Sequence, residues 1–236
     1  MRLDIYVTKQ HNIQSRNKAQ ELIKSKKVFV NGKIVTKSSF IVENNMDIIV
    51  DIDDFFVSRS AKKLKYFLDD NSSIKLDNLD ALDIGSSTGG FTQVLLLNNV
   101  KSVTCVDVGS NQLHQSIKND NKIIVKENTD IREFNSDKKY DIVTCDVSFI
   151  SILYIIEDIN RLANDKIIIL YKPQFEVGKG IKRDKNGVVL DTKAIDLCRD
   201  EFLEKATSLG WGLVTSSKSK VLGKSGNSEE LFYFNI

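Results

Sequence analysis

The sequence predicts an α/β fold: a mostly parallel, doubly wound sheet with a small α/β module at its N-terminus. Three observations predict it. Apolar runs at 79–84, 102–107, 122–126, 140–146 and 166–171 alternate with helix-length segments at 90–98, 110–119, 149–163 and 191–209. That alternation builds a parallel sheet covered by helices. The loop Gly85-Ser86-Ser87-Thr88-Gly89-Gly90 joins the first run to its helix, where such sheets place their ligand crevice. The first 50 or so residues carry hairpin and helix signals of their own, which divides the chain into 1–54 and 55–236.

Within the N-terminal module, Ser15 is placed to cap a helix from Arg16 to about Lys26, with Ala19, Leu22 and Ile23 as a narrow apolar stripe. Val28-Phe29-Val30 and Lys33-Ile34-Val35 flank Asn31-Gly32, the signature of a two-residue hairpin whose turn needs positive φ twice. Met46 to Val50 reads as a further strand, Asp51 to Phe56 as an acidic linker and Arg59 to Asp69 as a helix. Near the C-terminus, the runs 211–216 and 230–236 have no helix between them, so an antiparallel last strand is expected.

Composition sets outer limits. With 41% hydrophobic and 28% charged residues, the chain has the balance of a globular protein. No run approaches the ~20 apolar residues that span a bilayer. Met1-Arg2-Leu3-Asp4-Ile5 lacks an apolar signal core, so a cytoplasmic protein is expected. Cys105, Cys145 and Cys198 are scattered and are expected to be free thiols, two of them buried. Two distant histidines and no C-x-x-C give no basis for a metal site.

Charge is unevenly distributed. Residues 1–37 hold nine basic side chains, among them Arg2, Arg16, Lys18, Lys24, Lys26 and Lys27, against the two acids Asp4 and Glu21. A basic arm on a mildly acidic body suggests a polyanion, and its clustering favours RNA or DNA over a merely solvated helix face.

The glycine loop lacks the second glycine of G-x-G-x-x-G, and Phe91 stands where a P-loop has lysine. Asp83, just before the turn, would repel a phosphate but could face a cation or accept from an amine. S-adenosylmethionine, with an amino group and a sulfonium, fits that better than NAD or ATP. The loop residues Asp83, Gly85, Ser86, Ser87, Thr88, Gly89, Gly90 and Phe91 are therefore the expected cofactor set. Asp107 ends the second strand, where a carboxylate accepts from ribose hydroxyls, and Asp130 follows the third, within reach of an adenine amino group. Asp146 ends the fourth strand and Lys172 the fifth. Pro173, the only proline, holds Lys172 extended. A lysine fixed at the mouth of a sheet beside an acid is a candidate base or charge clamp.

Two family resemblances extend this reading. Arg2-Leu3-Asp4, Ser15-Arg16 with Ala19 and Leu22-Ile23, and Val28-Phe29-Val30-Asn31-Gly32 resemble the S4 RNA-binding domain. The body resembles the FtsJ-type ribose methyltransferases. The whole chain resembles the TlyA family, often called hemolysins, through Val57-Ser58-Arg59, Leu82 to Thr92, Asp146-Val147-Ser148-Phe149-Ile150-Ser151, Lys172-Pro173-Gln174-Phe175-Glu176-Val177-Gly178 and Ser225-Gly226-Asn227-Ser228-Glu229. The resemblance implies a Rossmann-like S-adenosylmethionine methyltransferase sheet with an N-terminal S4 domain. It also implies 2′-O-methylation of a cytidine ribose in 23S ribosomal RNA, with 16S a further candidate, on free RNA or ribosomal subunits. By motif position, the family's Lys-Asp-Lys-Glu tetrad falls on Lys63, Asp146, Lys172 and Glu229. Lys172 is then expected to orient and deprotonate the hydroxyl beside Lys63, with Asp146 positioning Lys172 and Glu229 holding Lys63 or the ribose. Arg59 and the basic segment with Lys179, Lys182 and Arg183 are expected to grip RNA, and Lys218, Lys220 and Lys224 to extend that surface.

Two other functions compete: a membrane-active hemolysin, and a non-catalytic RNA-binding protein on a degenerate methyltransferase fold. The first lacks a membrane segment in the sequence. The second is at odds with the full set of tetrad residue types.

Overall fold

The computed structural model describes residues 1–10, 13, 15–43, 45–50 and 56–236. It divides into two compact units, Met1–Val57 with His114–Ser116, and Ser58–Leu113 with Ile117–Ile236. The expected boundary between 54 and 55, and most of the acidic linker, lie outside the described residues.

The first unit opens with α1 (Leu3–Gln10), which pattern reading missed. Its buried face is Leu3, Asp4 and Val7, and an acid on the inner face hides the apolar period. In α2 (Arg16–Lys24) the Ser15 hydroxyl caps the Lys18 N–H at 3.2 Å, and Ala19, Leu22 and Ile23 are buried as the stripe requires. A three-stranded antiparallel sheet, order β2-β1-β3, follows from β1 (Val28–Val30), β2 (Lys33–Ile34) and β3 (Ile48–Val50). Asn31 and Gly32 have φ of 48° and 73°, the two left-handed residues of the expected hairpin turn.

The larger unit begins with α3 (Arg59–Asp70). Its sheet comprises β4 (Asp80–Ile84), β5 (Ser102–Val106), β6 (Ile123–Lys126), β7 (Tyr140–Cys145), β8 (Ala163–Tyr171), β9 (Gly212–Lys218) and β10 (Glu230–Asn235). The order is β6-β5-β4-β7-β8-β10-β9, with β4 to β8 parallel and β10 antiparallel to both neighbours. The order reverses at β4, which has β5 on one side and β7 on the other, so the switch point lies at the carboxyl ends of β4 and β7. Helices α4 (Gly90–Leu97), α6 (Ile156–Leu162) and α8 (Thr192–Ser208) link the strands. On one face Tyr171, Phe202, Phe232, Phe234 and Trp211 form a buried aromatic cluster with neighbouring ring centroids 5.4–6.1 Å apart. Cys105 and Cys145 are buried thiols and Cys198 is half-buried, all three free.

Two expected helices are shorter. Of 110–119 only α5 (Gln115–Lys118) is helical, because Asn111 takes a φ of 52° and the Glu127 carboxylate captures the N–H groups of Asn111 and Gln112 at 2.8 Å. Residues 149–151 stay outside the helix expected from 149. Phe149 has a φ of 69°, and Ser151 caps a 3₁₀ turn over Ile152–Tyr154 that precedes α6.

Asp4 organises the first unit. Fully buried, it accepts from the Arg2 and Arg16 guanidinium groups and from Gln20 at 2.9–3.1 Å. Arg2, then Gln20 and Arg16, hold its carboxyl far below the usual range. Arg2 and Arg16 are themselves half exposed, so solvent screens the interaction. Asp4→Ala should lower the stability of this unit by about 1–3 kcal/mol, read from hydrogen exchange of α2. Because the folded pKa is depressed, the contribution is present above the ordinary Asp value and is lost as pH falls through the folded one.

Candidate active site

The tetrad residues approach one another through strand register. Tyr171 of β8 lies opposite Glu230 of antiparallel β10, so Lys172 and Glu229 leave the sheet side by side. Asp146 follows β7, the parallel neighbour of β8. The Lys172 ammonium lies 2.7 Å from Asp146 Oδ1 as an ion pair and donates to Ser148 Oγ at 2.9 Å. Lys172 is extended, with φ −123° and ψ 98°, and Pro173 opens the short helix α7 (Pro173–Glu176). Lys63, on the buried face of α3, is ion-paired with Glu229. The other Glu229 oxygen accepts from Gln174 Nε2 at 2.9 Å. Each lysine thus has its own carboxylate, and Lys63, Lys172 and Glu229 are at most 7% exposed.

Two cavities meet here. One, of about 420 Å³, lies at the switch point and is lined by Gly85, Ser87, Asp107, Gln112, Asp130 and Asp146, among others. The second, of about 450 Å³, holds the four tetrad side chains, Gln174, Arg183 and Lys224. Asp146, Ser148 and Phe149 line both and form a common wall. Phe149 is 91% exposed and packs at 5.1 Å on Phe175. Glu176 anchors this wall by accepting from Ser151 Oγ at 2.6 Å and from the Ile152 N–H at 3.2 Å, and burial pushes its carboxyl up.

The expected cofactor residues fall into two sets. Gly85, Ser87, Asp107 and Asp130 line the first cavity; Ser86, Thr88, Gly89, Gly90, Phe91 and Asp83 do not. Gly85 has a φ of 74°, and a Cβ there would stand 3.0 Å from the Asp146 carbonyl oxygen, so the loop can close on the wall only with glycine. A Cβ on Gly90 would collide with the hydroxyls of Ser58 and Ser60 at the start of α3. Asp107 accepts from the N–H groups of Ser87 and Gly109, both at 2.7 Å. The Asp130 carboxylate is held by Arg132, which keeps it below the usual range.

Asp83 corrects the sequence reading. Strand alternation turns it away from the crevice toward α4, where it is fully buried and accepts from Thr92 at 2.6 Å and Thr144 at 2.8 Å. It meets protein hydroxyls instead of a ligand amine, and burial pushes its carboxyl up to about 7.

The expected RNA-contacting residues also divide. Arg2 and Arg16 share Asp4 and remain half exposed. Lys18 pairs with Glu21, and Lys24 and Lys26 are exposed while Lys27 is partly so. In the larger unit Lys179 and Lys182 are exposed. Arg59 donates to the Leu222 carbonyl at 2.8 Å, and Arg183 donates to the carbonyls of Gln174, Gly178, Lys179 and Ile181 at 2.8–3.3 Å. These two arginines brace loops, a role that composition does not show. Sequence reading missed Gln112, Ser148, Phe149 and Gln174 as lining residues. Ser148, Phe149 and Gln174 lie inside the quoted motifs, but only tertiary structure shows which side chains face a cavity.

Comparison with known proteins identifies the family of each part of the chain. Residues 56–236 match the model of the FtsJ-like methyltransferases and residues 1–49 that of the S4 domain. The chain is 46% identical over 253 residues to the 23S rRNA (cytidine-2′-O)-methyltransferase TlyA of Campylobacter jejuni, covering 99% of each. It is 36% identical over 251 residues to Hemolysin A of Brachyspira hyodysenteriae, covering 100% of each. A crystal structure of a protein named as a hemolysin from Lactococcus lactis superposes with a TM-score of 0.70 at 33% identity, covering 76% of this chain and 88% of that one.

The buried Asp83 gives a pH-dependent stability. Its folded pKa lies above the unfolded value, so between about pH 4 and 7 the unfolded chain releases a proton that the folded one retains, and stability falls as pH rises. Urea unfolding across that window should show a decline of more than about 1 kcal/mol in the native protein that Asp83→Asn lacks.

Proposed function

This chain belongs to the TlyA family of FtsJ-like methyltransferases with an S4 domain, and we propose that it methylates the 2′-hydroxyl of a cytidine in 23S ribosomal RNA, using S-adenosylmethionine. One observation carries this reading. Asp146 stands on the wall shared by two cavities, each within the size range of small-molecule sites, and pairs with Lys172 of the second, so a methyl donor on one side and a ribose on the other would meet across a carboxylate that holds an amine.

The first cavity suits the cofactor. Its Gly85 turn admits close backbone approach, Asp107 offers a carboxylate to ribose hydroxyls, and the adjoining Ser86 hydroxyl is buried with no hydrogen-bond partner among the described residues. When bound, S-adenosylmethionine supplies a methyl group activated on a positively charged sulfur. In the second cavity Asp146 and Ser148 fix Lys172; once its ammonium has given a proton to solvent, the neutral amine orients the ribose hydroxyl and takes up its proton as the oxygen accepts the methyl group. Glu229 and Gln174 hold Lys63 in place, and exposed Phe149 forms an apolar rim. Positioning contributes several kcal/mol and proton transfer about 10²–10⁴-fold. The S4 unit, with Arg2 and Arg16 locked on Asp4, supplies basic groups for the RNA backbone. The hemolysin reading has only the names of relatives behind it; among the described residues no helix is long and apolar enough to cross a membrane.

Incubation with labelled S-adenosylmethionine and purified 23S and 16S ribosomal RNA or subunits should label one cytidine of 23S RNA. Lys172→Ala and Asp146→Ala, folded by circular dichroism, should each lower kcat by about 10²–10⁴-fold with RNA affinity nearly intact. Turnover retained in either variant overturns the assignment.

A further inference from the structure

The tetrad balances its own charge, but its cavity does not. Lys63 is matched by Glu229 and Lys172 by Asp146. Arg183 and Lys224 line the same cavity, and neither forms an ion pair among the described residues. The adjacent Asp184 carboxylate is engaged by the N–H groups of Asn186 and Val188 at 2.8 Å. The four Nη hydrogens of Arg183 are taken up by backbone carbonyls, which fix the guanidinium and leave its charge in place.

Lys224 is anchored through its backbone. The turn around it closes by hydrogen bonds from Gly223 N–H to the Asn227 carbonyl at 2.8 Å and from Gly226 N–H to the Gly223 carbonyl at 3.0 Å. Gly226 has a φ of 103°. A Cβ on Gly223 would lie 2.5 Å from Glu229 Oε1, so the turn rests directly against the tetrad carboxylate. The Lys224 side chain, one residue on, is exposed and makes no hydrogen bond among the described residues.

An anion is what this wall lacks, and the substrate carries one at the right position. In RNA the 2′-oxygen and the 3′-phosphate sit on adjacent ribose carbons, so a ribose presented to Lys172 brings its phosphodiester with it. We propose that Lys224 binds the phosphodiester next to the acceptor ribose, with the fixed charge of Arg183 reinforcing it. The assignment rests on the methyltransferase reading and adds a phosphate subsite to it. An ammonium is a point charge able to follow a mobile phosphate, whereas the arginine is committed to its loop.

The test titrates large ribosomal subunits lacking the methyl mark, at several KCl concentrations, with labelled S-adenosylmethionine. Lys224→Ala should raise KM for subunits about tenfold, with kcat changed less than twofold, and should lower the slope of log affinity against log salt by about 1. Lys224→Arg should restore KM to within about threefold of the native value, since charge is kept. S-adenosylhomocysteine affinity by calorimetry should be unaltered in both. Lys193→Ala, an exposed charge deletion on α8, controls for net charge. A Lys224→Ala KM and salt slope equal to those of Lys193→Ala overturn the subsite, as does a fall in kcat at unchanged KM or an arginine variant as impaired as alanine. Native protein that transfers no label to any RNA overturns the methyltransferase reading itself.

Discussion

The antiparallel register of β10 on β8 is the constraint on which the site depends. It sets Glu230 against Tyr171, and thereby delivers Glu229 beside Lys172 although they are 57 positions apart in the chain. Burial then dictates the rest. An unpaired ammonium or carboxylate in so enclosed a place would cost several kcal/mol, so each lysine is folded against an acid. Removing one partner therefore does more than delete a functional group, because it strands a charge. This is why substitutions of Lys63 or Glu229 mix stability with chemistry, whereas the partly exposed Asp146 separates them better.

The shared wall is built from the loop after β7, and its rigidity comes from two directions. Gly85 presses its backbone on the Asp146 carbonyl from the β4 side, and Glu176 ties Ser151 and Ile152 from the β8 side. Between these two anchors Phe149 adopts a left-handed backbone that an aromatic residue seldom takes. Such strain persists only where neighbours over-determine it, and here the neighbours are the two loops that carry the proposed cofactor and acceptor contacts.

Loop bracing and ligand contact draw on the same residue types. Arg59 and Arg183 stand in basic stretches that composition alone assigns to RNA, yet their guanidinium groups close loops through backbone carbonyls. Lys224 is left with a charge that has no partner among the described residues in the tetrad cavity. Counting charge per segment misses this distinction, whereas following each donor to its acceptor reveals it.

Much of the fold was legible in the sequence. Alternating apolar runs gave the strands of the sheet, the missing helix before 230 gave the antiparallel last strand, and Asn31-Gly32 gave the hairpin, because periodicity and turn chemistry are local properties of the chain. The acid or amine at each strand end was legible for the same reason. What only the tertiary structure decided was direction and partnership: that Asp83 turns into the core, that α1 buries an acid, that Glu127 unwinds the start of the 110–119 segment, and that Gln174 joins Lys63 on the Glu229 carboxylate. These depend on contacts between residues tens of positions apart, and one chain's residue order carries no local trace of them.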